Sequence, residues 1–294
     1  MYLDLFSNLY SQQLWLYFLF IALFSLLIGS FLNVVIHRLP IIMENNWKQE
    51  FYDYFELRNP EQSSSSIKYN LLIPRSACTH CGHQISATEN IPVFSWLFLK
   101  GRCKSCNTKI SIRYPLVELL TMLCSVVIAT QFQPSWLLIG YLILTWSLIS
   151  LLFIDIDKML LPDQITIPLI WLGLITNLIS DHISLVDSLY GAIFGYMTLW
   201  SLYWIFKLIT GKEGMGYGDF KLLSALGAWL GWQQLPLILI LSSFVGAIFG
   251  ISMLIIHKNE PSKPIPFGPY LAIAGWIALL FGPQINAWYM SFIL

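Results

Sequence analysis

Residues 136–154 read WLLIGYLILTWSLISLLFI, nineteen residues without a charge. A helix of about 20 predominantly apolar residues is long enough to cross the hydrocarbon core of a bilayer. The composition of the whole chain agrees, since 56% of its 294 residues are hydrophobic and 11% are charged, whereas soluble domains carry about 25% charged residues. The sequence therefore predicts a membrane protein.

Seven further segments share this apolar character, so we expect an all-α polytopic fold with about eight transmembrane helices. In chain order the candidates are Leu14–Ile36, Leu116–Pro134, Trp136–Ile154, Gln164–Ser180, Ser188–Ile209, Phe220–Trp232, Leu235–Ile256 and Gly268–Ile293. The sixth candidate is short and contains Lys221, which makes it the weakest of the set.

Basic residues are distributed unevenly along the chain. Ten of the sixteen lie between Arg38 and Arg113, and the others are Lys158, Lys207, Lys212, Lys221, Lys258 and Lys263. With eight spans and both termini outside, all sixteen face the cytoplasm, in agreement with the positive-inside rule. A seven-span alternative would put the C-terminus inside and break this pattern around Lys258 and Lys263. The net charge is zero, so no overall field attracts nucleic acid, and the bilayer is the expected surrounding.

On this topology the chain has three parts. Residues 1–37 hold the first transmembrane helix, residues 38–113 form a cytoplasmic insert, and residues 114–294 form a transmembrane helical core. The insert begins with an acidic and aromatic stretch, Glu44–Glu61, to which no function is assigned.

The insert contains two Cys-x-x-Cys pairs, Cys78/Cys81 and Cys103/Cys106, with twenty-one residues between them. Two such pairs at this separation are typical of a tetrahedral zinc site. The cytoplasm is reducing, which disfavours two disulfides there. Redox thiols and unliganded cysteines are the alternatives. Four thiolates leave no open coordination position, so such a zinc would be structural.

Ionisable residues inside or bordering transmembrane helices are costly and indicate function. Asp155 ends the third candidate span, and Asp219 begins the sixth after the turn Gly216-Tyr-Gly218. The topology puts both aspartates at the cytoplasmic boundary, where two helix ends can meet in a bundle. Glycines let a backbone approach its neighbours closely. The sequence therefore predicts an Asp155–Asp219 pair; the alternative is that Asp219 only caps its helix.

Three other acidic residues have competing interpretations. Asp157 and Asp163 are solvated loop residues, or Asp163 is the N-cap of the fourth span. Glu118 lies one turn inside the second span, where it either pairs with Arg113 or lines a polar cavity.

The residues resemble those of the type IV prepilin peptidases, the bifunctional leader peptidase/N-methyltransferases of type IV pilus and type II secretion systems. HExxH, GxSxG and Walker A motifs are missing from the sequence. The resemblance covers most of the chain and includes both cysteine pairs. Its other motifs are Gly29–Pro40, Asn90–Leu97, Arg113–Glu118, Asp155-Ile-Asp157, Leu161-Pro-Asp163, Gly214–Leu223 and Pro266–Pro269. GxGD alone is weak evidence, but in this combination it is specific.

This resemblance implies an aspartic endopeptidase of the bacterial inner membrane, with Asp155 and Asp219 as its catalytic residues. Its substrates are prepilins and pseudopilins, from which it removes a basic leader at the cytoplasmic face. The exposed N-terminal residue, commonly phenylalanine, is then methylated with S-adenosylmethionine. A peptidase without methyltransferase activity, a methyltransferase with a degenerate protease site and a cation-coupled transporter are the alternatives. Acidic residues clustered at one face disfavour the transporter, and intact Asp155 and Asp219 disfavour the second alternative.

Overall fold

A computed structural model describes residues 10–56, 69–256 and 266–291. The regular secondary structure of these ranges is helical, with two isolated β-bridges and no sheet, and most of the insert from residue 69 to 112 consists of turns and loops. The helices are α1 (Leu14–Tyr54), α2 (Phe94–Phe98), α3 (Arg113–Gln131), α4 (Trp136–Lys158), α5 (Asp163–Ser180), α6 (Leu185–Thr210), α7 (Tyr217–Leu230), α8 (Leu235–Ile256) and α9 (Gly268–Met290). The predicted all-α class is confirmed.

Seven helices in the described ranges are long and apolar enough to cross a membrane, so the chain is a multi-pass membrane protein. The sixth predicted span, Phe220–Trp232, forms α7 (Tyr217–Leu230), which has only 14 residues. At about 1.5 Å per residue it is about 21 Å long, shorter than the hydrocarbon core of about 30 Å. Seven of the eight predicted spans therefore have the length and composition of a transmembrane helix, and only the one that forms α7 is too short.

The first helix is longer than its apolar segment. We expected this span to end at Ile36, but α1 continues through Pro40 to Tyr54, a length of 41 residues. No glycine or proline occurs between Met43 and Tyr54, so nothing in this polar stretch breaks the helix. The first part of the insert is thus helical, while residues 57–61 of the acidic and aromatic stretch lie outside the described residues.

The chain forms two compact units, with the division at Val126. The N-terminal unit comprises Leu14–Val126, and the C-terminal unit includes the helices α4–α9. Both aspartates of the predicted pair belong to the C-terminal unit. The four cysteines of the insert and Glu118 belong to the N-terminal unit.

Helix α7 is the central helix of the C-terminal unit, and its residues from Asp219 to Leu230 are buried except Lys221. Its backbone contacts α6 directly, because Gly227 faces Gly191 with no side chain between them. The Trp229 side chain is fully buried, and its indole N–H donates to Leu169 O at 2.8 Å. Small residues at a helix crossing allow this close approach in membranes, and the packing holds α7 in a defined position.

The ends of α7 reach both ends of the bundle in spite of its short length. At its C-terminal end, the Asn177 amide donates to Ala228 O at 2.9 Å, next to the turn between α5 and α6. At its N-terminal end, Gly218 packs on Leu161 in the loop between α4 and α5. Helix α7 therefore connects the two ends of the unit and carries Asp219 to the end where α4 finishes.

Candidate active site and metal site

Asp155 and Asp219 come together at this end of the C-terminal unit. Asp155 lies in the last turn of α4 and is 5% exposed, and Asp219 lies in the first turn of α7 and is 6% exposed. They are close enough for the two negative charges to interact. The structure thus brings together two buried carboxylates that lie 64 positions apart in the sequence.

Backbone groups hold both carboxylates. The N–H of Gly268, at the start of α9, donates to the Asp155 carboxylate. The N–H of Gly216 donates to the Asp219 carboxylate. The Asp219 Oδ1 atom is buried and accepts no hydrogen bond from the described residues. A buried oxygen of this kind is suited to accepting a proton or a hydrogen bond from a reactant.

The loop residue Leu161 and two glycines complete the surroundings of the pair. A Cβ on Gly268 would lie 2.6 Å from Asp155 Oδ2, and a Cβ on Gly218 would lie 2.7 Å from Leu161 Cβ. A Cβ on Gly216 would make only an ordinary contact, 3.9 Å from Asp219 Oδ2. The close approach predicted for the glycine turn therefore occurs at Gly218 and not at Gly216. Sequence reasoning missed Gly268 and Leu161 as neighbours of the pair, although both stand in motifs of the resemblance.

The interpretation of Asp163 as an N-cap is wrong. Pro162 occupies the N-cap of α5, and no side chain caps this helix. The Asp163 carboxylate instead accepts from Lys221 Nζ at 2.6 and 2.8 Å. Asp219 is not an N-cap either, because Gly216 holds that position in α7. For Asp163 a competing partner decides, because α7 places Lys221 within reach, and the ion pair ties the start of α5 to the start of α7. For Asp219 the start of the helix decides, because α7 begins at Tyr217 and Asp219 lies inside its first turn.

The two remaining acidic residues, Asp157 and Glu118, belong to different units of the chain. Asp157 is exposed, as expected, but it lies in the last turn of α4 and not in a loop, because the helix continues past Ile154 to Lys158. Glu118 lines a cavity of the N-terminal unit and accepts a hydrogen bond from Val93 N–H at 2.7 Å. These contacts favour the cavity interpretation of Glu118 over its pairing with Arg113.

The four cysteines of the insert converge, and their Sγ atoms lie within 4.8 Å of one another. Each pair sits on a turn of the same geometry, closed by Cys78 N–H to His83 O in one case and by Cys103 N–H to Thr108 O in the other, both 2.9 Å. The residue after each second cysteine has a positive φ, 71° at Gly82 and 56° at Asn107. The repeated turn indicates a common task for the two pairs.

The geometry of the four sulfurs fits one zinc ion. A tetrahedron with zinc–sulfur bonds of about 2.3 Å has sulfur–sulfur edges of about 3.8 Å, and Cys78 Sγ lies 3.7 Å from Cys106 Sγ. A hydrogen bond with the Thr108 side chain lowers the pKa of Cys106 to about 6, which favours the thiolate that binds metal. His83 contacts Glu89 at 3.1 Å rather than the sulfurs. The cluster can therefore hold a zinc ion with sulfur ligands alone.

Comparison with known proteins covers both units. Residues 23–132 match the model of the bacterial peptidase A24 N-terminal domain, and residues 142–251 match the type IV leader peptidase family. No solved structure matches the chain.

The curated relatives with high identity carry the name prepilin leader peptidase/N-methyltransferase, and three of them illustrate the match. The protein from Aeromonas salmonicida is 62% identical over 280 residues, 95% of this chain and 96% of the relative. The protein from Pseudomonas aeruginosa is 56% identical over 92% of both chains. The protein from Legionella pneumophila is 45% identical over 95% of this chain and 96% of the relative. Identity at this level along nearly the whole length leaves one conclusion, that the chain belongs to the type IV leader peptidase family.

Proposed function

We propose that this protein removes the leader peptide from type IV prepilins and type II secretion pseudopilins and then methylates the new N-terminal residue. The buried Asp155–Asp219 pair carries the proposal for cleavage, because its geometry suits an aspartic mechanism. The names of the relatives support both activities. These names do not favour the alternative of a peptidase without methyltransferase activity.

In the proposed cleavage the two carboxylates act as one unit. Two neighbouring buried carboxylates cannot both ionise easily, so the pair shares one proton. The ionised member takes a proton from water, whose oxygen attacks the scissile carbonyl carbon. The protonated member donates its proton as the peptide bond breaks and the amine leaves. No covalent bond to the enzyme forms, and the shared proton is restored at the end.

In the proposed methylation the freed α-amine is the nucleophile. When bound, S-adenosylmethionine would supply an activated methyl group to this amine and would leave as a neutral thioether. Cleavage must come first, since this α-amine does not exist until the leader is removed.

Zinc in the cysteine cluster would hold the insert folded and take no part in the reactions, because four thiolates fill its coordination sphere. We further propose that the N-terminus is outside and that the insert and the Asp155–Asp219 pair face the cytoplasm of a bacterial inner membrane. The position of Lys158 and Lys221 near the pair supports this orientation. Lys258 and Lys263, which the orientation also uses, lie outside the described residues.

The proposal is tested by incubating detergent-purified protein with a prepilin and labelled S-adenosylmethionine, and by scoring cleavage and label transfer separately. The Asp219→Ala variant should leave full-length prepilin unmethylated and still methylate a pre-cleaved pilin. Cleavage without label transfer in the wild type would instead indicate a peptidase alone and reject the proposed methylation. Absence of both reactions would reject the proposed function.

A further inference from the structure

A cavity of about 600 Å³ lies in the N-terminal unit, and all of its lining residues fall between Ser30 and Glu118. Binding sites for small molecules have volumes of about 300–1,000 Å³. Neither Asp155 nor Asp219 lines this cavity, so the proposed cleavage does not account for it.

One face of α1 supplies a polar wall of the cavity. Its lining residues are Ser30, Asn33, Val34, His37 and Arg38, a spacing that places them on a single helix face. Four of these five are polar, and two of them, Ser30 and Asn33, lie within the predicted span Leu14–Ile36. Polar groups at such positions are costly in lipid and normally face a protein interior or a polar cavity. Asn33 donates to Tyr114 O at 3.1 Å, and the face as a whole lines the cavity.

Glu118 brings a negative charge to the cavity. Its side chain is 7% exposed, and its carboxylate is held by Val93 N–H at 2.7 Å and by the Ser30 hydroxyl. Both donors are uncharged, and no Lys or Arg of the described residues forms an ion pair with it. A buried carboxylate without a cation is costly, and a cationic ligand would compensate its charge.

The backbone is arranged to hold this carboxylate. Val93 has φ of 62°, a conformation that is strained for a β-branched residue and is found mainly at functional sites. The strained residue supplies the N–H that binds Glu118. The strained residue is therefore in direct contact with the Glu118 carboxylate, which is the negative charge of the cavity.

Other lining residues provide aromatic and positively charged groups. The Trp96 indole is fixed by a hydrogen bond to Ile110 O at 3.2 Å. The Arg38 guanidinium is 8% exposed and is fixed by Asn70 O at 3.1 Å. Arg75 and Lys109 also line the cavity and are exposed. The cavity therefore combines a carboxylate, a fixed aromatic ring and cations.

A ligand that matches this combination carries a positive charge, an aromatic base and a carboxylate. We infer that the cavity binds S-adenosylmethionine, with the Glu118 carboxylate facing the cationic sulfonium and ammonium groups of its methionine part. This inference rests on the proposed methyltransferase activity and assigns its donor site to the N-terminal unit. Cys78 and Cys103 also line the cavity, so the zinc-binding turns form part of its wall.

The inference is tested by equilibrium binding to the zinc-loaded, full-length protein, with S-adenosylmethionine and its neutral thioether product S-adenosylhomocysteine as the two probes. Glu118→Gln removes the charge and keeps the shape of the side chain. It should weaken binding of the sulfonium ligand by at least about 30-fold, the lower end of the loss expected when one partner of a buried charge pair is removed. Binding of the neutral thioether should change much less. Glu50→Gln makes the same change on the exposed part of α1 outside the cavity and should leave the affinity for both ligands unaltered.

A second variant and a measurement on the wild type make the test independent of how Glu118→Gln folds. Val34→Phe fills the cavity and should weaken both ligands together, with zinc content unchanged. In the wild type, hydrogen exchange should show that S-adenosylmethionine protects residues 93–96. If the wild type binds and transfers the methyl group but residues 93–96 are not protected, the inference is overturned. It is also overturned if Glu118→Gln and Val34→Phe bind both ligands as tightly as the wild type. Either result would leave the proposed methylation itself intact. A wild type that neither binds the donor nor transfers label, while it still cleaves, would overturn the proposed methylation as well.

Discussion

Gly268→Ala is a sharp test of how the Asp155–Asp219 pair is positioned. The new Cβ would lie 2.6 Å from Asp155 Oδ2, where contacts below 3.0 Å are essentially never observed. The carboxylate would have to retreat by 0.4 Å to reach 3.0 Å and by 0.8 Å to reach an ordinary contact at 3.4 Å. Leu161, whose methyl carbons lie 3.1 Å from the same Cβ, limits movement on that side.

The size of the effect follows from this displacement. A misplacement of about 1 Å costs about 100-fold in rate. We therefore expect Gly268→Ala to lower kcat/KM for leader removal by roughly 10- to 100-fold, or about 1.4–2.7 kcal/mol of transition-state stabilisation. Stability should not fall in parallel, because alanine is a better helix former than glycine at the start of α9.

The assay is the initial rate of prepilin cleavage in proteoliposomes, with the melting temperature measured on the same preparations. Gly216→Ala is the matched control, since its Cβ would make only an ordinary 3.9 Å contact with Asp219 Oδ2. It should cause a much smaller loss of activity. Wild-type kcat/KM for Gly268→Ala, or a larger loss for Gly216→Ala, would refute this account of the positioning.

Three further predictions concern the metal, an ion pair and the topology. Cys106→Ser should abolish binding of about one zinc per chain, measured by metal analysis; wild-type protein that is freshly purified and free of zinc would contradict this. Asp163→Asn breaks the ion pair with Lys221. Because the Asp163 side chain is 51% exposed, we expect the protein to lose less than about 1 kcal/mol of stability. The rate of cleavage should fall less than it does for Asp219→Asn. Equal losses of cleavage would give Asp163 a larger role. Cysteine-accessibility labelling should find residues 38–113 on the cytoplasmic side, and labelling from the outer face would reject the orientation.

The sequence predicts those features that depend on local composition. Apolar length identifies the long spanning helices, since a helix in lipid must satisfy its own backbone groups. The spacing of the cysteines identifies the metal cluster, because ligands on tight turns require little information from elsewhere in the fold. The position of Asp155 and Asp219 at the predicted membrane edge led to the prediction of a functional pair, since a charge there is costly.

Features that depend on contacts between distant residues escape this reasoning. The Gly268 N–H reaches Asp155 only because α9 packs at the end of α4, and nothing near Gly268 in the sequence indicates that contact. The Asp163–Lys221 ion pair arises in the same way and replaces the expected N-cap. The full length of α1 was missed because hydropathy reports where a helix meets lipid and not where the helix ends.

The central claim is that Asp155 and Asp219 form the catalytic pair, and the most direct test is the rate of prepilin cleavage by Asp155→Asn, Asp219→Asn and the double variant. Asparagine keeps the shape of the side chain but cannot accept and return a proton, so each single variant should be inactive. The double variant should be no worse, since the pair acts as a unit. All three should insert and fold normally, because removal of one carboxylate relieves repulsion, and Asp157→Asn should stay active. Near-wild-type cleavage by Asp155→Asn together with an inactive Asp157→Asn would assign the catalytic role to Asp157. Activity in both Asp155→Asn and Asp219→Asn would contradict the aspartic mechanism itself.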